Sequence, residues 1–206
     1  MIKKRFLLIL CAAFMLLSLF GCTKNNKTSQ STPIGSLQLA IDYVFKVSYN
    51  NDGLVTALTG LSGPSTGLAT GYSTAVGTAC ETVVTTLVQT IVDSGDCQNT
   101  QVIVLKQAPN SKVPSDTFLE KIRTDIEAVA GGLSVLLITA DQLTAKGLIS
   151  ADTAVTILTK HLSLADAEIT CAETPENGKY TLTVTHQGVI SQYLVDADTG
   201  IVIPPM

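Results

Sequence analysis

The sequence predicts an α+β fold built as two small modules, each with an antiparallel or mixed sheet covered by helices on one face. Two patterns and their order carry this expectation. Apolar residues alternate with polar ones at Leu37, Leu39 and Ile41, and again at Tyr180, Leu182 and Val184, the period of a half-buried strand. Elsewhere they recur at helical spacing: Val76, Cys80, Val83/Val84, Leu87/Val88 and Ile91; Phe118, Ile122, Ile126 and Val129; Ala154, Ile157/Leu158 and Leu162. Three strands come first, then helices interleaved with strands, an order that lays helices on a sheet.

Residues 35–140 read as the first module. Leu37–Ile41 is a strand, Val44–Tyr49 the next, and Asp52-Gly53 a hairpin turn into a third at Leu54–Leu61. Residues 60–77, rich in Gly, Ser and Thr, read as a loop, and without Gly-Lys-Ser/Thr they give no phosphate-binding loop. Over Ser73–Val92 the Thr and Val content favours strand, but the continuous apolar stripe outweighs propensity and predicts a helix stopped by Gly95. Gln101–Lys106 is a buried strand. Ser115 or Asp116 caps the helix that Gly131-Gly132 ends, and Leu133–Thr139 is a further strand.

Residues 141–206 form the second module. Ser150 caps a helix, Lys179–Thr185 and Val189–Asp196 pair through a turn at Gly188, and Asp198-Thr199-Gly200 turns into Ile201–Ile203. One helix on an antiparallel sheet is the economical arrangement. The exposed edges expected beside Val189–Val195 and Leu37–Ile41 are suited to accepting a partner's extended segment.

Ahead of both modules, Lys3, Lys4 and Arg5 precede an apolar run from Phe6 to Phe20, and a Gly precedes Cys22. About 20 apolar residues are needed to span a membrane, so this 15-residue run has the proportions of a secretory signal. Residues 23–33 are polar and hold no apolar anchor, so the segment 22–34 reads as a flexible linker. Without residues 1–21 the chain holds 10 Lys and Arg against 17 Asp and Glu, a net charge near −7. That balance argues against nucleic acid as a partner and against a polybasic membrane patch. With no Trp and 5% aromatics, stacking platforms for sugars or bases lose weight as well.

Candidate chemistry is sparse. His161, late in a helix, and His186, beside a hairpin turn, lack any nucleophile motif such as Gly-x-Ser-x-Gly or His-Glu-x-x-His. Glu81, Asp93 and Asp96 read as a solvated acidic face rather than a carboxylate pair. Asp196-Ala197-Asp198-Thr199-Gly200 has the oxygen spacing of a calcium loop but no Glu at its twelfth position, and a turn explains it. Ser62, Ser65 and Thr66 read as turn formers. Cys80, Cys97 and Cys171 are an odd set with no CxxC. A helix over 74–93 would hold Cys80 and Cys97 about 25 Å apart, which disfavours that pairing. No catalytic, cofactor-binding or metal-ligating residue is assigned, and the protein is read as non-enzymatic.

The Leu19-Phe20-Gly21-Cys22 junction resembles the lipobox of bacterial lipoproteins. The resemblance implies cleavage after Gly21, a diacylglyceryl group on the sulfur of Cys22 and attachment to the membrane through that lipid. Ile149-Ser150-Ala151-Asp152-Thr153-Ala154 and Tyr193–Val202, with its Asp-Ala-Asp-Thr-Gly, resemble a PepSY domain. That likeness implies a small non-catalytic module of secreted and membrane-attached bacterial proteins, with restraint of peptidases as a suggested role. Gly35–Val47, Gly53–Leu61 and Val102–Leu105 are similar to the extracytoplasmic domain of RsgI-type anti-sigma factors. Asp42-Tyr43 stands where that family has its self-cleaving Asn-Pro, so cleavage does not carry over. Together the resemblances imply an extracytoplasmic, lipid-anchored binding or regulatory protein of a Gram-positive-type envelope. It would meet an envelope protein or a peptidase; the alternatives are a peptidase inhibitor acting through the PepSY-like domain and a purely structural envelope lipoprotein.

Overall fold

The computed structural model of the chain describes residues 32–97 and 100–204. The leader 1–21 and Cys22 lie outside the described residues.

β1 (Gly35–Ala40) is the middle strand of a five-stranded sheet of order β3-β2-β1-β4-β5. Its neighbours are β2 (Val44–Tyr49) and β4 (Val102–Gln107), with β3 (Val55–Gly60) and β5 (Ser134–Ile138) outside them. All pairings are antiparallel except β4 with β5, whose parallel register needs the crossover that α3 (Phe118–Glu127) supplies. The expected edge at Leu37–Ile41 is thus paired on both sides. The half-buried reading of that strand also fails, because Ser36, Gln38 and Ala40 are buried along with the leucines.

Asp52-Gly53 makes its turn as expected. Gly53 has φ +74°, and Asn50 Oδ1 accepts the N–H groups of Asp52 and Leu54, each at 2.9 Å. Residues read as loop after β3 include the helix α1 (Gly63–Gly71). Its glycines and hydroxyl residues hide it from propensity, and hydrogen bonds at its start hold it. Ser62 N–H donates to Ser65 Oγ at 2.9 Å, Ser65 Oγ donates to Ser62 O at 2.7 Å, and Thr66 Oγ1 donates to the same carbonyl at 3.1 Å.

α2 (Cys80–Ser94) begins later than the apolar period suggested. Gly77, at φ +85°, interrupts the chain, and Val76 is exposed. The stripe Cys80, Val83, Val84, Leu87, Val88 and Ile91 is wholly buried, and Gly95 ends the helix in the left-handed conformation. α3 starts at Phe118, after Thr117 rather than after Ser115 or Asp116, and Val129 packs just beyond its end. α2 and α3 cover one face of the sheet, closing a core over Leu37, Leu39, Phe45, Val47, Ile103 and Leu105.

The opposite face receives α4 (Ala151–Leu162), whose Ser150 cap accepts Thr153 N–H at 3.1 Å. α4 lies between two sheets. Its Ala154, Ile157 and Leu158 share one core with Val102 and Val104 of β4 and with Tyr180, Leu182 and Val184. The second sheet has the order β6 (Glu168–Cys171), β7 (Lys179–His186), β8 (Val189–Asp196) and β9 (Val202–Ile203), all antiparallel. β6 had no sequence signal. It is four residues long, and only Ile169 and Cys171 face inward. The fold is α+β, with four α-helices and two sheets among the described residues.

Candidate functional site

The alternation that faces Leu37 and Leu39 toward α2 faces Ser36, Gln38 and Ala40 the other way. Register extends this second face across three strands: Gln38 pairs with Lys46 of β2 on one side and with Lys106 of β4 on the other. Cross-strand partners on one face stand about 5 Å apart, so Lys46, Gln38 and Lys106 form a polar row. Toward the other end of this face, Ala40, Val44, Val102, Val104 and Ile138 join the core beneath α4.

Lys106 is only 4% exposed, an expensive place for an ammonium unless it is paired. The partner comes from 92 residues away. Lys106 Nζ donates to Asp198 Oδ1 at 2.7 Å and also to the Asp198 carbonyl oxygen, while Gln38 Nε2 donates to Asp198 Oδ2 at 3.3 Å. Burial pushes the Asp198 carboxyl up, but the hydrogen bond and charge of Lys106, with the bond from Gln38, outweigh it and hold the group below its ordinary value.

The turn carrying Asp198 is held by Asp196. Its Oδ1 accepts Asp198 N–H at 3.1 Å, Thr199 N–H at 2.8 Å and the Thr199 hydroxyl at 2.9 Å. Asp196 thereby spends its carboxylate on its own backbone, the turn expected from the sequence. Gly200, at φ +76°, lets that turn approach β4, because a methyl group there would stand 2.9 Å from Ile157 Cδ1 and 3.1 Å from Val104 Cγ2.

Between the polar row and this turn lies a cleft of about 300 Å³. Lys46 and Lys106 line one wall, and Lys146 and Asp198 contribute from the other side. Lys146 sits in a tight turn in which Gly147 N–H donates to Thr144 O at 2.8 Å and Thr144 N–H to Leu148 O at 2.8 Å. Gly147, at φ +75°, packs that turn against Pro109.

A second feature lies at the far end of the small sheet. β9 pairs only with Leu194 and Val195, so among the described residues nothing pairs with the outer side of Val189–Tyr193. Val189 and Ile190 are 65% and 69% exposed. The edge expected beside Val189–Val195 is thus open only over Val189–Tyr193, because β9 covers Leu194 and Val195.

The remaining candidates are scattered. Glu81 forms an ion pair with Lys121 at 2.8 Å between α2 and α3; burial raises its carboxyl, but the hydrogen bond from Lys121 brings it below the usual value. Asp93 accepts from Gln89 at 2.8 Å and Asp96 from the Tyr43 hydroxyl at 3.0 Å. Twelve residues of helix separate Glu81 from Asp93 by about 18 Å, too far for a carboxylate pair. His161 stands in the last turn of α4, where its buried Nδ1 has no hydrogen-bond partner among the described residues. Burial lowers its pKa, and the nearby Asp42 charge offsets part of that. His186 ends β7 opposite Val189.

Cys80, Cys97 and Cys171 are free thiols. Burial, with Glu81 adding a smaller contribution, pushes Cys80 up to about 12. Among the described residues no group of three His, Cys, Asp or Glu is gathered to hold a metal ion, and no helix is long and apolar enough to cross a membrane. The sequence places Lys106 at the end of a buried strand, and a lysine closing an apolar strand is the one signal it carries that a distant partner must neutralise the charge. Comparison of the chain with protein-family models, with curated proteins and with solved structures finds no match in any of the three.

Proposed function

We propose that this protein is an extracytoplasmic lipoprotein, anchored through Cys22, that acts by protein–protein contact rather than by catalysis. One observation carries the contact reading: the outer side of Val189–Tyr193 is unpaired among the described residues, and its first two residues are large, apolar and exposed. Such an edge carries a row of backbone donors and acceptors matched to an extended peptide. Val189, Ile190, Ser191, Gln192 and Tyr193 include no charge to turn a partner away. The PepSY-like likeness of residues 141–206 supports the same reading, since that family is non-catalytic, and an envelope peptidase is one class of partner it suggests.

The anchor rests on the leader and on the likeness of its junction to a lipobox. Two experiments test the proposal. Metabolic labelling with an alkyne fatty acid is expected to mark the wild-type chain and not Cys22→Ser; equal labelling of both refutes the anchor. A photo-crosslinking residue at position 190, used on intact cells, is expected to capture a defined envelope protein, and Gln192→Pro is expected to abolish the capture. Capture unaffected by that proline, which removes an edge N–H, refutes the edge as the contact.

A further inference from the structure

The cleft at the polar row is separate from the β8 edge, and its charge runs against that of the protein. The chain carries a formal net charge of −4, yet this cleft gathers Lys46, Lys106 and Lys146 around the single carboxylate of Asp198. Lys106 is held inside by that carboxylate. Lys46 and Lys146 have no carboxylate within ion-pair distance among the described residues.

Each position is set by the fold. Lys46 is fixed by register opposite Gln38, Lys106 by register on the other side of it, and Lys146 by the turn packed on Pro109. A concave site with low-dielectric walls focuses the field of such charges and raises the local concentration of an anion. Leu61 and Pro109 supply apolar lining beside the ammonium groups, the usual make-up of a small-molecule site.

We propose that this cleft binds a phosphate-type oxyanion carried on a small organic body. Two unpaired ammonium groups match the charge of one phosphomonoester, about −1.5 to −2 at neutral pH. Lysines act as point charges toward a tetrahedral oxyanion, whereas planar two-point recognition of a carboxylate is the work of arginine. No arginine lines the cleft, and Arg123 is engaged by Glu120 and Glu127 on α3. A neighbouring hollow of about 490 Å³ shares Ser36, Lys46 and Pro109 with the cleft and reaches Pro33, near the start of the described chain. On the anchoring proposed above, the lipid on Cys22 stands eleven residues before Pro33 in the sequence, so the phosphate has two sources: a soluble phosphate ester or a lipid headgroup.

Lysine acetylation of the full chain in phosphatidylcholine nanodiscs, read by mass spectrometry, tests the site and separates the sources. Glycerol phosphate added at constant ionic strength is expected to slow acetylation of Lys46 and Lys146 saturably, by about fivefold or more, while Lys112 and Lys160 keep their rates. Lys46→Gln, read at Lys146, is expected to raise the half-saturating concentration about tenfold, the loss of one charge-assisted contact. Protection given by phosphatidylglycerol nanodiscs alone, and lost in Lys46→Gln, assigns the headgroup as the source. The site is overturned if neither arm slows Lys46 and Lys146, if Lys112 and Lys160 slow equally, or if Lys46→Gln leaves the protection unchanged. Failure of the Cys22 labelling would remove the headgroup arm and leave the soluble arm standing.

Discussion

Substitution at the Lys106–Asp198 pair has an asymmetric expected outcome. The lysine side chain is 5% exposed and the aspartate 63%, so the two partners lose different things when the other is removed. Asp198→Asn takes the counter-charge from a buried ammonium while keeping the side-chain shape and one acceptor oxygen. Breaking a fully buried pair costs about 3–5 kcal/mol and an exposed one about 0–1. Because Asp198 is largely solvated and Lys106 keeps its bond to the Asp198 carbonyl, the expected loss lies between, at about 1–2 kcal/mol. Lys106→Met removes the buried charge itself and leaves Asp198 to water. It is expected to stay within about 1 kcal/mol of wild type.

Urea denaturation of the two single variants and the double variant closes the cycle. The double variant should fall near Lys106→Met, a coupling of about 1 kcal/mol or more. The pH dependence has a defined sign. Asp198 is held below its ordinary value, so its contribution is full above about pH 4 and is lost as pH falls through the lower folded value. Asp198→Asn should abolish that acid limb. Single losses that add, or a Lys106→Met loss larger than that of Asp198→Asn, would refute the reasoning.

Three further outcomes follow from local geometry. Gly200→Ala should destabilise by about 2–4 kcal/mol, since the left-handed backbone costs about 1–2 and the methyl group presses on Ile157 and Val104; Gly178→Ala, equally left-handed but facing open space, should cost only the first part, and thermal melts compare them. Cys80 should react with a disulfide reagent at pH 8 roughly a thousandfold more slowly in the folded protein than in urea, following its raised pKa; comparable rates in the two states would contradict its burial. His161 favours its neutral form when folded, so stability should decline as pH falls from about 6.5 through its lower folded pKa. His161→Gln should flatten that slope in denaturation curves taken across the range, and an unchanged slope would assign it to other groups.

Local patterns spoke clearly where the physics is local. The α2 stripe is buried at every position from Cys80 to Ile91, Ser150 caps α4, and Asp52-Gly53 turns the β2–β3 hairpin. The sequence was opaque where distant segments decide the environment. Ser36 and Gln38 alternate with leucines as a solvent face would, yet Ser36 N–H donates to Ser111, Gln38 meets the Asp198 turn, and Ala40 lies in the core beneath α4. α1 and β6 were invisible because neither has a strong period or propensity: the first contains Gly63, Gly67 and Gly71, and the second buries half of a four-residue strand. The cleft was equally hidden, since its residues come from β1, β2, β4, the turn at Lys146 and Asp198, and no sequence spacing links them.

The Asp-Ala-Asp-Thr-Gly turn shows how one short segment divides its duties. Asp196 fixes the turn internally, and Ala197 is buried, its carbonyl accepting Ile149 N–H at 2.9 Å. Asp198 neutralises Lys106 on the first sheet, while Gly200 permits close approach to Val104. With Thr199 bonded to Asp196 through its N–H and its hydroxyl, all five residues serve the turn or its seating against neighbouring structure, and this seating forms one wall of the cleft. A turn residue chosen only for chain reversal would leave Lys106 buried without its counter-charge, at the cost of about 1–2 kcal/mol expected of Asp198→Asn. It follows that Asp198 is costly to lose while Lys106 remains, whereas Lys106 can be lost with Asp198 in place, and that an anion competing for Lys106 in the cleft would also weaken the seating of this turn.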